Sequence, residues 1–372
     1  METVLSYKQS LFLMLRSKLL SAFLYFVDLA DICRSSIIRK TMKVSVFRTL
    51  FIHRPYRLAV FFVLSLITNF FISIFFPLYG LLLGPIIFGI PHMFASLRYL
   101  PKMAVSKQTP QAMINYVGFI FIIAATIRIA FNEYHFALKF LPNGPELFMV
   151  CISLLSIAFL TKQKFTNLIF TFLLVSMLSI CSYAYPYQTI GALVLIHNFL
   201  SFVFWLKAST STKDTTVAVV SLLVFSLVTF LILFGTFDAL MIYRPTGILN
   251  NALNDLSIGS MISPGSSFEF WSRAVSAYAF GQGMHYFVWL KAIPEQELKD
   301  GPTISFNKSF KMLEADIGKR TIFACILLML FILAICLFKS FPAARYIYLV
   351  IASFHGYFEF TCLFLEKEQV AV

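Results

Sequence analysis

Four histidines sit inside runs that are otherwise apolar: His92 in "GIPHMFASLRYLPK", His197 in "LVLIHNFLSFVFWLKA", His285 in "GQGMHYFVWLKAIPE" and His355 in "IASFHGYFEF". Imidazole is the commonest protein ligand for metals and can also carry protons. Within lipid such a group needs a partner, since an unpaired ionisable side chain costs a few kcal/mol there. The chain has six histidines in all. The other two, His53 before the first apolar run and His135 after the third, read as interfacial. Glu359 lies one helical turn after His355 and is the one carboxylate well inside an apolar run.

The elements that carry these residues follow from composition. Of 372 residues, 59% are hydrophobic and only 13% charged, against about a quarter charged in a soluble domain. Apolar runs of roughly 18 residues or more recur, each long enough to cross about 30 Å of hydrocarbon. Helices must do the crossing, because each satisfies its own backbone hydrogen bonds. The expected fold is all-α, a polytopic transmembrane bundle of about ten spans. The hydropathy places them near 57–76, 80–100, 112–131, 146–161, 165–184, 188–206, 215–235, 269–292, 321–339 and 344–365. Residues 1–56 read as a cytoplasmic, interfacial amphipathic segment, because Arg16, Lys18, Asp28 and Asp31 interrupt their apolar pattern. Residues 57–366 form a single transmembrane domain in this reading, and 367–372 a short cytoplasmic tail. The early segment lacks the small-residue cleavage site of a secretory signal.

Basic residues set the orientation. Arg39, Lys40, Lys43, Arg48, Arg98, Lys102, Lys207, Lys291, Lys308, Lys311 and Lys319 fall on the side shared by both termini. The opposite side carries few, among them Arg128, Lys139, Arg244 and Arg273. The termini are therefore expected in the cytoplasm, with the chain a multi-pass protein of a bacterial inner membrane. The net charge of +13 then reflects topology and attraction to anionic lipid, and no nucleic-acid motif accompanies it. The six cysteines are scattered singly, which argues against a disulfide framework or zinc ribbon. No GxxxxGK[ST], GxGxxG or GxSxG pattern occurs outside apolar spans.

The four histidines fall in spans two, six, eight and ten, so all four helices run toward the cytoplasm. His92 is six residues before Arg98 and His285 six before Lys291, about 9 Å inside the cytoplasmic end at 1.5 Å per residue. His197 and His355 lie about 15 Å inside, and Glu359 returns to about 9 Å. Two stretches echo each other: His92, Arg98 and Pro101 share their spacing with His285, Lys291 and Pro294. Trp205, Trp289, Lys207, Lys291 and Arg98 read as interfacial aromatic and snorkelling residues. Pro91 is expected to kink the backbone before His92 and aim its ring inward.

One layer holding four imidazoles suits joint ligation of a metal. Nitrogen donors favour iron, copper or zinc over magnesium and calcium. Non-haem Fe(II) fits a site that leaves positions open; haem with axial histidines is the competitor. The tetrapeptide "GIPH", residues 89–92, resembles the Gly-x-Pro-His of the Brp/Blh family of membrane β-carotene dioxygenases. That resemblance implies a multi-pass helical fold, a four-histidine non-haem iron with His92 as first ligand, and cleavage of a carotenoid. This chain departs from the family after the motif, with Met93, Phe94 and Ala95, and carries Trp289 and Glu359 four residues after His285 and His355. The expected function is an integral-membrane iron oxygenase acting on a lipophilic substrate, a carotenoid or other polyene or lipid. Dioxygen is its co-substrate, His92, His197, His285 and His355 hold the metal, and Glu359 is catalytic, either orienting a ligand or completing the coordination sphere. A multi-pass transporter, or a haem-binding membrane protein, would use the same histidines differently. The polar loop 236–267 is a candidate lid or plain connector.

Overall fold

The computed structural model describes residues 27–104, 183–241, 268–298, 305–338 and 355–362, with isolated positions elsewhere that include Tyr348. Among them the structure is helical, without strand. The expected spans 112–131, 146–161 and 165–184 fall wholly or mostly outside the described residues, as does most of the loop 236–267.

The helices are α1 (27–41), α2 (Ser45–Ile52), α3 (Arg54–Phe75), α4 (Pro77–Gly84), α5 (Ile90–Ala104), α6 (Pro186–Ala208), α7 (Thr212–Leu233), α8 (Asp238–Met241), α9 (Phe268–Phe287), α10 (Ile293–Gln296), α11 (Phe306–Phe338) and α12 (355–362). Two of them, α3 and α7, are long and apolar enough to cross a membrane, and Leu195–Ala208 of α6 is a shorter apolar stretch. The chain divides into two compact units, 1–60 with 298–331, and 61–297 with 332–372.

In the first unit, α1 turns its acids onto the start of α11. Asp31 accepts hydrogen bonds from the backbone N–H groups of Phe306 (2.7 Å) and Asn307 (2.8 Å). Asp28 accepts from Asn307 Nδ2 at 3.0 Å. A carboxylate there answers both the unsatisfied amides and the positive end of the helix. Gly318 breaks α11 with φ 80° and ψ 152°, a region open to glycine alone at little cost. The expected span 321–339 lies largely in the stretch beyond this kink.

In the second unit prolines punctuate the chain. Phe76 leaves the helical region (φ −132°, ψ 43°), and Pro77 opens α4 at its first position, where a missing N–H does no harm. Tyr185 and Pro186 open α6 the same way. Ser211 caps α7, its Oγ accepting from Asp214 N at 3.2 Å and donating to Asp214 Oδ2 at 2.6 Å. The two histidine-bearing stretches that echo each other in sequence also share a backbone device. A π-helical turn, Pro85–Gly89, joins α4 to α5, and another, Val288–Ala292, joins α9 to α10. In each, a proline (Pro91, Pro294) follows two residues after the turn ends. A proline removes the donor for the carbonyl four residues back, here Ile87 and Leu290, and both lie in the widened turn. The irregularity thus falls before Pro91, and α5 continues through it in helical geometry.

Helix α9 packs against α4, α6 and α7. Phe225 of α7 stacks on Phe202 of α6 (4.6 Å, 12°) and on Phe280 of α9 (5.6 Å, 27°). Such pairs add about 0.5–1.5 kcal/mol beyond area burial. Trp205 and Trp289 are fully buried, so they are packing residues and not the interfacial belt their sequence neighbours suggest.

Candidate metal centre

All four histidines and Glu359 come together inside the second unit. His92 Nε2 and His355 Nε2 are 2.9 Å apart. Ring centroids are separated by 4.5 Å for His197–His285, 4.7 Å for His92–His355, 5.1 Å for His92–His285 and 5.2 Å for His197–His355. The His285–His355 separation is 6.3 Å. Glu359 Oε2 lies 3.3 Å from His197 Nδ1. One donor atom from each of His197, His285, His355 and Glu359 lies within 4.8 Å of the others, and His92 joins this group through His355.

Each donor is delivered by a separate helical stretch. The π turn Pro85–Gly89 precedes His92, and the carbonyls of Phe88 and Gly89 approach its ring without the geometry of a full hydrogen bond. Helix α6 brings His197, α9 brings His285 three residues before its own π turn, and α12 brings His355 and Glu359 one turn apart. Close packing makes room: a Cβ on Gly356 would stand 3.3 Å from the His197 ring, and one on Gly281 would stand 2.8 Å from Asn198 Nδ2.

The cluster is largely buried, with the His197 side chain 23% exposed, and short of partners. His92, His285 and Glu359 are at most 2% exposed, and His355 is 7%. Among the described residues, His92 Nδ1, both ring nitrogens of His285 and both carboxylate oxygens of Glu359 have no hydrogen-bond partner. Buried polar atoms are rarely left so. Four imidazoles and a carboxylate, with buried atoms of His92, His197, His285 and Glu359 lacking hydrogen-bond partners among the described residues, are the donor set of a transition-metal site, so the residues present fit a metal.

Glu359, expected either to orient a ligand or to complete the sphere, lies among the donor atoms themselves. His53 is exposed and packs edge-on to Tyr56 (6.1 Å); His135 lies outside the described residues. Arg98 and Lys291 stand apart from the histidines. Arg98 Nη2 bonds Glu297 at 3.2 Å, Lys102 meets the same carboxylate at 2.9 Å, and Lys291 donates to Glu295 at 2.5 Å. Tyr286, whose ring centroid lies 4.7 Å from that of His92, carried no signal in the sequence beyond its adjacency to His285. Comparison with protein families, characterised proteins and solved structures returned no match. What the geometry defines is a class: an all-helical chain with a buried histidine–carboxylate cluster able to hold a metal.

Proposed function

We propose that the chain is an integral-membrane, non-haem iron oxygenase that acts on a lipophilic substrate within the bilayer. The observation that carries this reading is the convergence of five side chains from distant parts of the sequence into one buried cluster with unpartnered donor atoms. About ten spans, cytoplasmic termini and a bacterial inner membrane complete the proposal. Two helices of sufficient length and apolarity support it, as does the positive-inside pattern.

His197, His285, His355 and Glu359 would hold the iron, with His92 beside His355 as a further ligand. The imidazoles offer lone pairs while neutral, and the carboxylate offsets part of the metal's charge in a dry site. Iron, when bound, supplies the redox chemistry by which dioxygen reacts with an unsaturated organic substrate. The ring separations of 4.5–6.3 Å, with one nitrogen pair at 2.9 Å, leave no slot for a porphyrin between facing imidazoles. That favours a bare ion over haem. The 44 phenylalanines of the chain suit a polyene or acyl chain, for which aromatic faces supply non-directional contact.

The test is direct. The iron-loaded protein in detergent is mixed with a carotenoid or another polyene lipid under ¹⁸O₂, and products are read by mass spectrometry. The expected outcome is an oxygenated or cleaved product carrying the label. Stable metal binding with no labelled product from any polyene would contradict the oxygenase reading.

A further inference from the structure

Beside the cluster lies a second polar group of side chains, built from three parts of the second unit. Tyr286 directly follows His285, and its ring lies against His92 with centroids 4.7 Å apart. Gln282, one turn earlier on α9, donates from Nε2 to Tyr286 Oη at 2.6 Å. The Tyr348 side chain is hydrogen-bonded to Tyr286. All three are buried, at 8% exposure or less. Tyr348 reaches this position because residue 89 is glycine: a Cβ there would stand 2.5 Å from the Tyr348 ring and 2.6 Å from its hydroxyl. Gly89 closes the π turn that sets His92 in place, so one local device admits the histidine and the phenol together. Such turns concentrate at functional sites.

A purely apolar residue would pack here at lower cost, since each buried hydroxyl must find partners. Two hydroxyls bonded to each other use one O–H between them and leave one O–H for another acceptor. The Gln282 carbonyl oxygen has no hydrogen-bond partner among the described residues. The arrangement is a preorganised donor and acceptor set in a dry site, the kind that stabilises charge developing on a small bound ligand.

We propose that the hydrogen-bonded Tyr286–Tyr348 pair presents its one remaining O–H to the small diatomic ligand, dioxygen, bound at the histidine–glutamate cluster, with Gln282 orienting the Tyr286 hydroxyl. This rests on the metal reading above. Tyr286 and Tyr348 are positioning residues that also hold a proton close to the oxygen they face.

Nitric oxide is the probe, added to the Fe(II)-loaded protein, with the N–O stretch recorded by infrared spectroscopy in H₂O and D₂O. In the wild-type protein the band is expected to move on deuteration. Tyr286→Phe and Tyr348→Phe keep the ring and remove only the hydroxyl. Both should retain full iron content, and in the variant that loses the donating hydroxyl the band shifts to higher frequency and its deuterium sensitivity is lost. Gly89→Ala should give the same shift by displacing Tyr348 without altering either phenol. Iron-replete tyrosine variants with the wild-type band and deuterium response would overturn the tyrosine role alone. A wild-type protein that binds neither iron nor nitric oxide would overturn the metal reading and this inference with it.

Discussion

Among the described residues Glu359 has one charge contact, the His197 ring at 3.3 Å, and it is fully buried. A metal would answer that burial. Glu359→Gln keeps the shape and removes the charge, so metal affinity should fall by at least the roughly 10–100-fold typical of supporting groups, and further if the carboxylate ligates directly. Equilibrium dialysis of iron against the variant measures it; unchanged affinity would place the carboxylate outside the coordination sphere. Arg98→Ala supplies the contrast. Its partner Glu297 also holds Lys102 at 2.9 Å, and exposed pairs of this kind are worth about 0–1 kcal/mol. The variant should keep its full metal content, and a loss would tie the ion pair to the centre. Histidine scarcity and apolar surroundings made the cluster legible as residues. Tyr348 and Gln282 were not legible, because an aromatic or amide in an apolar run has many packing roles and only the fold selects one.

Backbone devices decide where those side chains go. The two π turns, Pro85–Gly89 and Val288–Ala292, each absorb a carbonyl deprived of its donor by a proline two residues beyond the turn. The sequence shows the prolines but not how the helix accommodates them, since a kink at Pro91 and a widened turn before it share the same residues. Gly89 has a single reason to be glycine, the approach of Tyr348. Gly89→Ala should therefore destabilise the fold by about 1–3 kcal/mol, the range for overpacking a close-packed site. Denaturation of the purified protein in detergent, alongside the wild type, reads this. A neutral result would mean that Tyr348 moves away freely. Ser211→Ala removes the α7 cap and should cost about 1 kcal/mol while leaving the metal site intact. The helices around 188–206 and 215–235 were readable from hydropathy because no charged residue interrupts either run, and that around 269–292 was readable in spite of Glu269 and Arg273 near its start. The burial of Trp205 and Trp289 was not, since Trp beside Lys at a helix end fits an interfacial belt equally well.

The chain as a whole is arranged so that separate helical stretches bring one donor each, and α12 two, to a common point. Such an arrangement fixes ligand positions tightly, because each is tied to a packed helix rather than to a loop. Parity and spacing alone led to one expected depth and direction for the four histidine helices. That the rings would actually meet could not be read this way, because spacing along each helix says nothing of which helices are neighbours. If the bundle has an even number of spans, both termini share one side, which the positive-inside pattern makes the cytoplasm. Reporter fusions at each terminus should both be active on that side, and a C-terminus on the opposite face would contradict the ten-span arrangement.

Metal content of the purified protein, measured with its optical spectrum across the wild type and the five single variants His92→Ala, His197→Ala, His285→Ala, His355→Ala and Glu359→Ala, tests the central claim most directly. The account predicts about one iron per wild-type chain, no intense Soret absorption, and sharp loss of iron in the His197, His285 and His355 variants. Wild-type protein free of metal after growth and purification with added iron, or variants that all retain it, would show that the cluster is a hydrogen-bonded core and not a metal centre.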